Sequence, residues 1–154
     1  MNIQNNKIVL KKRPVGFPKL EDFEIVNETI TSLNYGEVLI KISWLSLDPY
    51  MRGRMSEAKS YAAPIKLGEV ITGGAVGKVV ESKCPNFLKG EIVEGFTLGW
   101  QKYVKVNSSQ IRKIDPNLAP IQTAVGVLGM PGMTAYFGLF EICKPIPGDT
   151  LVVS

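Results

Sequence analysis

Polar and apolar residues alternate along most of the first two-thirds of the chain, and alternation with period two marks a strand with one buried face. The clearest run is Glu37 to Leu47, where Val38, Ile40, Ile42 and Trp44 alternate with Glu37, Leu39, Lys41 and Ser43. Shorter runs cover Lys7 to Lys11, Phe23 to Val26, Glu69 to Ile71, Ala75 to Glu81, Glu91 to Gly95 and Trp100 to Val106. Turn-formers separate them: Pro14 to Pro18, Asn34-Tyr35-Gly36, and Asn86 to Gly90. Each of these favours backbone that a strand cannot continue. Many short strands with such turns and no early helix predict a mainly β fold, a small antiparallel barrel or sandwich.

Two stretches break the pattern. Residues 48–68 carry Pro49, Gly53, Pro64 and Gly68 and read as a long irregular loop, the kind of segment that often holds function. From Ala119 the chain becomes small and apolar without alternation. Pro131 suits the first turn of a helix, where its missing N–H is no loss. Met133, Tyr136, Phe137, Phe140 and Ile142 put large side chains around that helix, and Lys144 to Asp149 stop it. Thr150 to Ser154 then read as an apolar strand, so the last segment has the form of an opening βαβ unit.

Composition narrows the function classes. The chain has 154 residues, a net charge of +4 and scattered rather than clustered basic residues, which does not suit a nucleic-acid surface. No apolar run approaches the roughly 18 residues that span a bilayer, and Met1 to Arg13 lacks a signal-peptide core. A cytoplasmic protein with no membrane partner is the expectation. There is no histidine, and Cys84 and Cys143 form no CxxC pair, so no metal site is expected.

The glycines look suggestive but lead elsewhere. Gly73-Gly74-Ala75-Val76-Gly77 runs into a strand, whereas a dinucleotide fingerprint opens a helix; a tight bend in a barrel is the simpler reading. Gly126, Gly129 and Gly132 precede no Lys-Ser or Lys-Thr pair and read as close helix packing. The densest chemistry lies in Leu45-Ser46-Leu47-Asp48-Pro49-Tyr50-Met51-Arg52-Gly53-Arg54-Met55. Asp48 before proline suits a turn. The Tyr50 phenol can donate to an oxygen that gains negative charge.

Three stretches, Leu45 to Met55, Lys89 to Val106 and Leu128 to Cys143 (LGMPGMTAYFGLFEIC), together resemble the zinc-independent medium-chain dehydrogenase/reductases. The branch is that of leukotriene B4 12-hydroxydehydrogenase, prostaglandin reductases, alkenal double-bond reductases and curcumin reductases. The resemblance implies a GroES-like, partly open β-barrel as substrate domain over 1–120. The start of a Rossmann NADP-binding domain would occupy 121–154. It implies NADPH as cofactor and hydride transfer to the C=C bond of an α,β-unsaturated aldehyde or ketone. By the same resemblance Tyr50 is catalytic, Tyr50, Asp48 and Pro49 line the substrate cleft, and Thr134 touches the nicotinamide.

The family's glycine-rich turn is expected directly after Val152-Val153-Ser154, so the chain reads as the N-terminal part of a longer, homodimeric enzyme. By itself it is expected to be inactive and to hold NADPH poorly. Residues from about 120 onward are expected to be poorly packed or to pair between chains. A quinone reductase, an alcohol-oxidising member of the superfamily and a free-standing, non-catalytic GroES-like module remain as alternatives.

Overall fold

Strand pairing puts the most strongly alternating run inside the larger sheet, with a partner strand on each side. The computed structural model describes residues 1–153. In chain order its main elements are β1 (Ile3–Leu10), β2 (Phe23–Ile30), β3 (Glu37–Leu45), α1 (Pro49–Arg54), β4 (Ala75–Ser82), β5 (Ile92–Gly95), β6 (Tyr103–Asn107), β7 (Arg112–Lys113) and α2 (Met130–Tyr136). β1 and β2 form an antiparallel pair, and the other five strands form an antiparallel sheet in the order β6-β3-β4-β5-β7. The free edge of β1 bonds to two further segments: Ile8 N donates to Trp100 O at 2.8 Å, Leu10 N to Glu69 O at 3.0 Å, and Lys102 N to Asn6 O at 2.9 Å. These bonds join the two sheets into a partly open, GroES-like barrel.

Tertiary packing overrides strict alternation in β3. Val38, Leu39 and Ile40 are all fully buried. Val38 and Ile40 pack with Ala75, Val79, Val93, Leu98, Val104 and Val106, while Leu39 turns to Ile30 and Leu33 on the other face. Trp44, expected inside, is 52% exposed, because β6 pairs with β3 only from Glu37 to Lys41. Register shifts between Leu39 and Ile40 and between Ile42 and Trp44 bend β3 against β4. At this bend Gly77 lies against Lys41 O and the Ile40 side chain so closely that no Cβ could be accommodated.

One turn design recurs. Asn34-Tyr35-Gly36-Glu37, Lys66-Leu67-Gly68-Glu69, Leu88-Lys89-Gly90-Glu91 and Ile146-Pro147-Gly148-Asp149 each place a positive-φ glycine third. In each, the fourth residue's N–H donates to the first residue's carbonyl at 3.1–3.2 Å. The acidic side chain at the fourth position then accepts the first residue's N–H at 2.7–3.1 Å. Glycine permits the left-handed third position of a type II turn, and the carboxylate satisfies the donor left over.

Three expectations are corrected. The 48–68 stretch contains a helix, α1, because Asp48 and Pro49 supply an N-terminus there. Glu69 to Ile71 is no strand but a single bridge, Val9 to Val70, flanked by backbone bonds. Thr150 to Val153 form no strand, since no neighbouring strand lies beside them among the described residues; Ser154 lies outside those residues. Pro131 does sit in the first turn of α2, which continues as a π-helical segment through Cys143 and stops at Lys144 in the left-handed conformation.

Candidate active site

The chain leaves β3 at Leu45 and is fixed at once by Ser46. Its N–H and its hydroxyl both donate to the Gly74 carbonyl, at 2.8 and 3.2 Å. Gly73 and Gly74 make this approach possible. A Cβ on Gly74 would stand 3.2 Å from Ser46 Oγ, and one on Gly73 would stand 2.8 Å from Met51 Cε. The glycine pair thus serves close packing of the segment around α1.

α1 begins at Pro49, with Asp48 in extended backbone before it. The Asp48 side chain makes no capping hydrogen bond, so its carboxylate stays free to face the cleft. Met51 and Met55 anchor the helix by burial against Leu10, Ile65 and Ile71, with Trp100 and Phe23 packed alongside. Three arginines hold it laterally. Arg13 Nη1 donates to Met55 O at 3.1 Å and Ile65 O at 2.6 Å, and its Nη2 meets Glu57 at 3.1 Å. Arg52 answers from the helix, donating to Pro14 O at 3.0 Å and through Nε to Gly16 O at 3.1 Å. Arg54 Nε donates to Ala63 O at 3.1 Å. The planar forks of arginine suit such multiple carbonyl contacts.

Two adjoining clefts open on the anchored face. The inner one, a narrow cleft of about 20 Å³, is lined by Ser46, Asp48, Tyr50, Gly74, Glu94, Gly95, Phe96 and the Ala124–Val125 and Met130–Pro131 steps. The outer one, about 240 Å³, is lined by Tyr50, Arg54, Tyr61, Ala62, Phe96, Thr97 and Met130. Tyr50, Phe96 and Met130 belong to both, so the half-buried Tyr50 ring stands at their junction. Burial pushes the Tyr50 phenol above its ordinary value; the Asp48 carboxylate adds to this, while the Arg54 guanidinium and the Gly74 backbone oppose it. The phenol therefore stays protonated, a hydrogen-bond donor, through neutral and mildly alkaline pH.

Glu94 is the inner cleft's second carboxylate. It is only 4% exposed, and it sits directly across from Arg112 in the β5–β7 ladder, paired with that guanidinium. A buried carboxylate needs such a partner.

Tyr50 and Asp48 thus come together in one cleft. Pro49 starts α1 and lines neither cleft. Thr134 lies on an exposed part of α2 one turn from Met130, and its hydroxyl donates to Met130 O at 2.8 Å. Sequence reasoning passed over Ser46, Arg54, Tyr61, Glu94, Phe96 and Met130 as site residues. Arg54 follows Tyr50 by four residues, the spacing that shares a helix face, and that signal was available. Glu94 and Phe96 carried none, because strand register alone brings them to the cleft.

Residues 6–114 match the family described as the N-terminal domain of oxidoreductase. The chain belongs to this family. It is 42% identical to the NADPH-dependent curcumin reductase of Escherichia coli over 98% of this chain and 44% of that protein. It is 42% identical to the NADP⁺-dependent 2-alkenal reductase of Nicotiana tabacum over 99% of this chain and 46% of that protein. The fold matches the crystal structure of CurA from Vibrio vulnificus with a TM-score of 0.86 and 44% identity, over 94% of this chain and 42% of that one. The same protein in complex with NADPH matches with a TM-score of 0.84. The chain spans a little under half the length of these relatives. The likeness to the curcumin, alkenal and prostaglandin reductase branch of the zinc-independent medium-chain dehydrogenase/reductases holds.

Proposed function

We propose that the chain is the substrate-domain part, over 1–120, of an NADPH-dependent oxidoreductase that reduces the C=C bond of α,β-unsaturated aldehydes or ketones. Residues 121–154 would begin its cofactor domain. The observation that carries this reading is the Tyr50 phenol, held neutral at the junction of two largely apolar clefts. The relatives named above support the cofactor and the substrate class.

The residues present fit a nicotinamide in one respect. The Thr134 hydroxyl proton is committed to Met130 O, so the oxygen is left as an acceptor beside the turn that lines the cleft. A carboxamide N–H is a suitable donor to it. A bound nicotinamide supplies the hydride. The chain's own residues supply the setting. The Tyr50 phenol donates to the substrate carbonyl oxygen, whose negative charge grows as the β-carbon is reduced. Such a donor acts more strongly on the transition state than on the ground state. Phe96 and Met130, which border both clefts, flank the carbon skeleton and shield the reacting carbons from water. Ser46, tied to Gly74, fixes the cleft floor on which Asp48 and Tyr50 are carried.

In the enzyme that includes the cofactor domain, Tyr50→Phe is expected to lower kcat on enones by about 100-fold, the lower range for losing one oxyanion donor. Steady-state kinetics on a simple enone is the measurement. Turnover equal to wild type removes Tyr50 from the mechanism.

A further inference from the structure

The three most exposed large apolar side chains among the described residues stand close together in the chain. Val15, Phe17 and Leu20 are 93, 93 and 94% exposed. All three belong to the connection between β1 and β2, residues 11–22, which leaves and re-enters the hairpin where Leu10 pairs with Phe23. An exposed apolar patch with a polar rim marks a contact surface.

The loop has a fixed base. Arg52 of α1 donates through Nη2 to Pro14 O at 3.0 Å and to Gly16 O at 2.9 Å, and through Nε to Gly16 O at 3.1 Å. Pro14 itself is buried. Lys11 N and Lys12 N both donate to Asp22 O, at 2.8 and 3.2 Å, and the Asp22 carboxylate accepts Lys19 N at 2.7 Å. The apolar side chains are thus presented with little left to order on contact. Part of the tip's backbone is already satisfied too. Pro14 and Pro18 have no N–H, and Arg52 takes the carbonyls of Pro14 and Gly16, which lowers the cost of moving the tip out of water. Around it stand four basic residues, Lys11, Lys12, Arg13 and Lys19, against two acidic ones, Glu21 and Asp22. Lys12 pairs with Glu21 and Asp22, and Arg13 with Glu57, whereas Lys11 and Lys19 are exposed and in no ion pair among the described residues.

We propose that the 11–22 loop docks the protein on an anionic bilayer surface. Val15, Phe17 and Leu20 enter the headgroup region, and Lys11 and Lys19 meet the anionic headgroups. No helix of the structure is long and apolar enough to cross a membrane; a loop of this kind lies on one. A protein partner would need a pocket for three protruding side chains and a carboxylate for each free lysine. An anionic bilayer offers both over its whole surface.

The test is co-sedimentation of the 154-residue chain with two kinds of vesicle, one of phosphatidylcholine alone and one of equimolar phosphatidylcholine and phosphatidylserine. Partition to the mixed vesicles is expected to be about tenfold stronger, as two lysines at an anionic surface allow, and added salt is expected to shrink the preference. Phe17→Ser combined with Leu20→Ser is expected to weaken binding to the mixed vesicles about tenfold, because two apolar side chains no longer enter the interface. Lys11→Gln combined with Lys19→Gln is expected to bring the two kinds of vesicle level. Ile142→Ser combined with Val152→Ser alters exposed apolar residues elsewhere and is expected to bind as wild type does. All the altered side chains are exposed, so each variant is expected to keep the wild-type melting temperature. Absence of wild-type binding, equal binding to both kinds of vesicle, or binding that survives Phe17→Ser with Leu20→Ser overturns the proposal. Self-association in sedimentation velocity that this loop variant abolishes, without vesicle binding, makes the loop a contact between copies of the chain and overturns it as well. The enone reading of the clefts is judged by Tyr50→Phe and does not depend on this loop.

Discussion

A single ring, Tyr50, joins the two clefts and carries the hydrogen-bond donor between them. Its folded pKa lies above the usual value of 10.0, with burial the first cause and Asp48 the second. The neutral phenol is thus the form the fold favours. This contribution is fully present below the unfolded value and is lost as pH rises past it through the folded value. The difference between the alkaline absorbance titrations of wild type and Tyr50→Phe is expected to show one phenol ionising above pH 10.0; a midpoint at or below that value contradicts the burial argument. Glu94 and Arg112 make a second residue-scale case. Arg112→Ala strands a carboxylate that is 4% exposed, and is expected to lower stability by about 1–2 kcal/mol, as for a buried group that loses its partner. Arg112 itself is largely exposed, so Glu94→Gln is expected to lose less. Urea unfolding of both variants gives the comparison. Tyr50 was legible in the sequence because its motif is local. Glu94 was not, since a carboxylate in an alternating strand reads as a solvent-facing residue until β7 is laid beside it.

At the level of elements, α1 and the four glycine-acid turns show what short sequence signals can and cannot say. Six residues of helix are too few for an apolar period to register, and isolated helices of that length do not persist in water. α1 exists because Met51 and Met55 are buried and because Arg13 and Arg52 cross between it and the 13–16 segment. Its start was nonetheless written in Asp48-Pro49. The turns are written more openly, as glycine followed by an acid. Two of their carboxylates, Glu37 and Glu91, also tie stability to pH. The Asn34 amide, followed by Lys105, holds Glu37 below the usual carboxylate range; Lys113, followed by the Leu88 amide, does the same for Glu91. A depressed folded pKa contributes stability above the unfolded value of 4.5 that is lost as pH falls through the folded value. The double variant Glu37→Gln, Glu91→Gln is expected to show a flatter fall in melting temperature between about pH 5 and about pH 3 than wild type. Parallel curves speak against these turns as a source of acid sensitivity.

Across the whole molecule, packing is divided. The barrel core is fully enclosed, with Leu10, Val38, Leu39, Ile40, Ile71, Val76 and Val79 at or near complete burial, whereas Met133, Tyr136, Phe137, Phe140, Ile142 and Leu151 to Val153 are all at least half exposed. Helices draw most of their stability from a packed face, and local opening is easiest where few apolar contacts are made. Amides of α2 and the following π-helical segment are therefore expected to exchange with solvent orders of magnitude faster than those of β3 and β4, as read by hydrogen–deuterium exchange. Equal protection overturns that division.

The sequence by itself determined the mainly β class, the positions of most strands, the proline-started α2 and the motif around Tyr50. All of these rest on periodicity or on contiguous residue types, which neighbours in the chain express without help. Only the tertiary structure decided that β3 is buried on both faces over Val38 to Ile40 and that Leu151 to Val153 stand outside any strand. It also decided that Gly73 and Gly74 make room for Met51 and Ser46, and that Glu94, Phe96, Met130 and Arg54 meet Tyr50 around one pair of clefts. Those outcomes depend on which distant segments lie side by side, and strand register and packing, not local pattern, settle that choice.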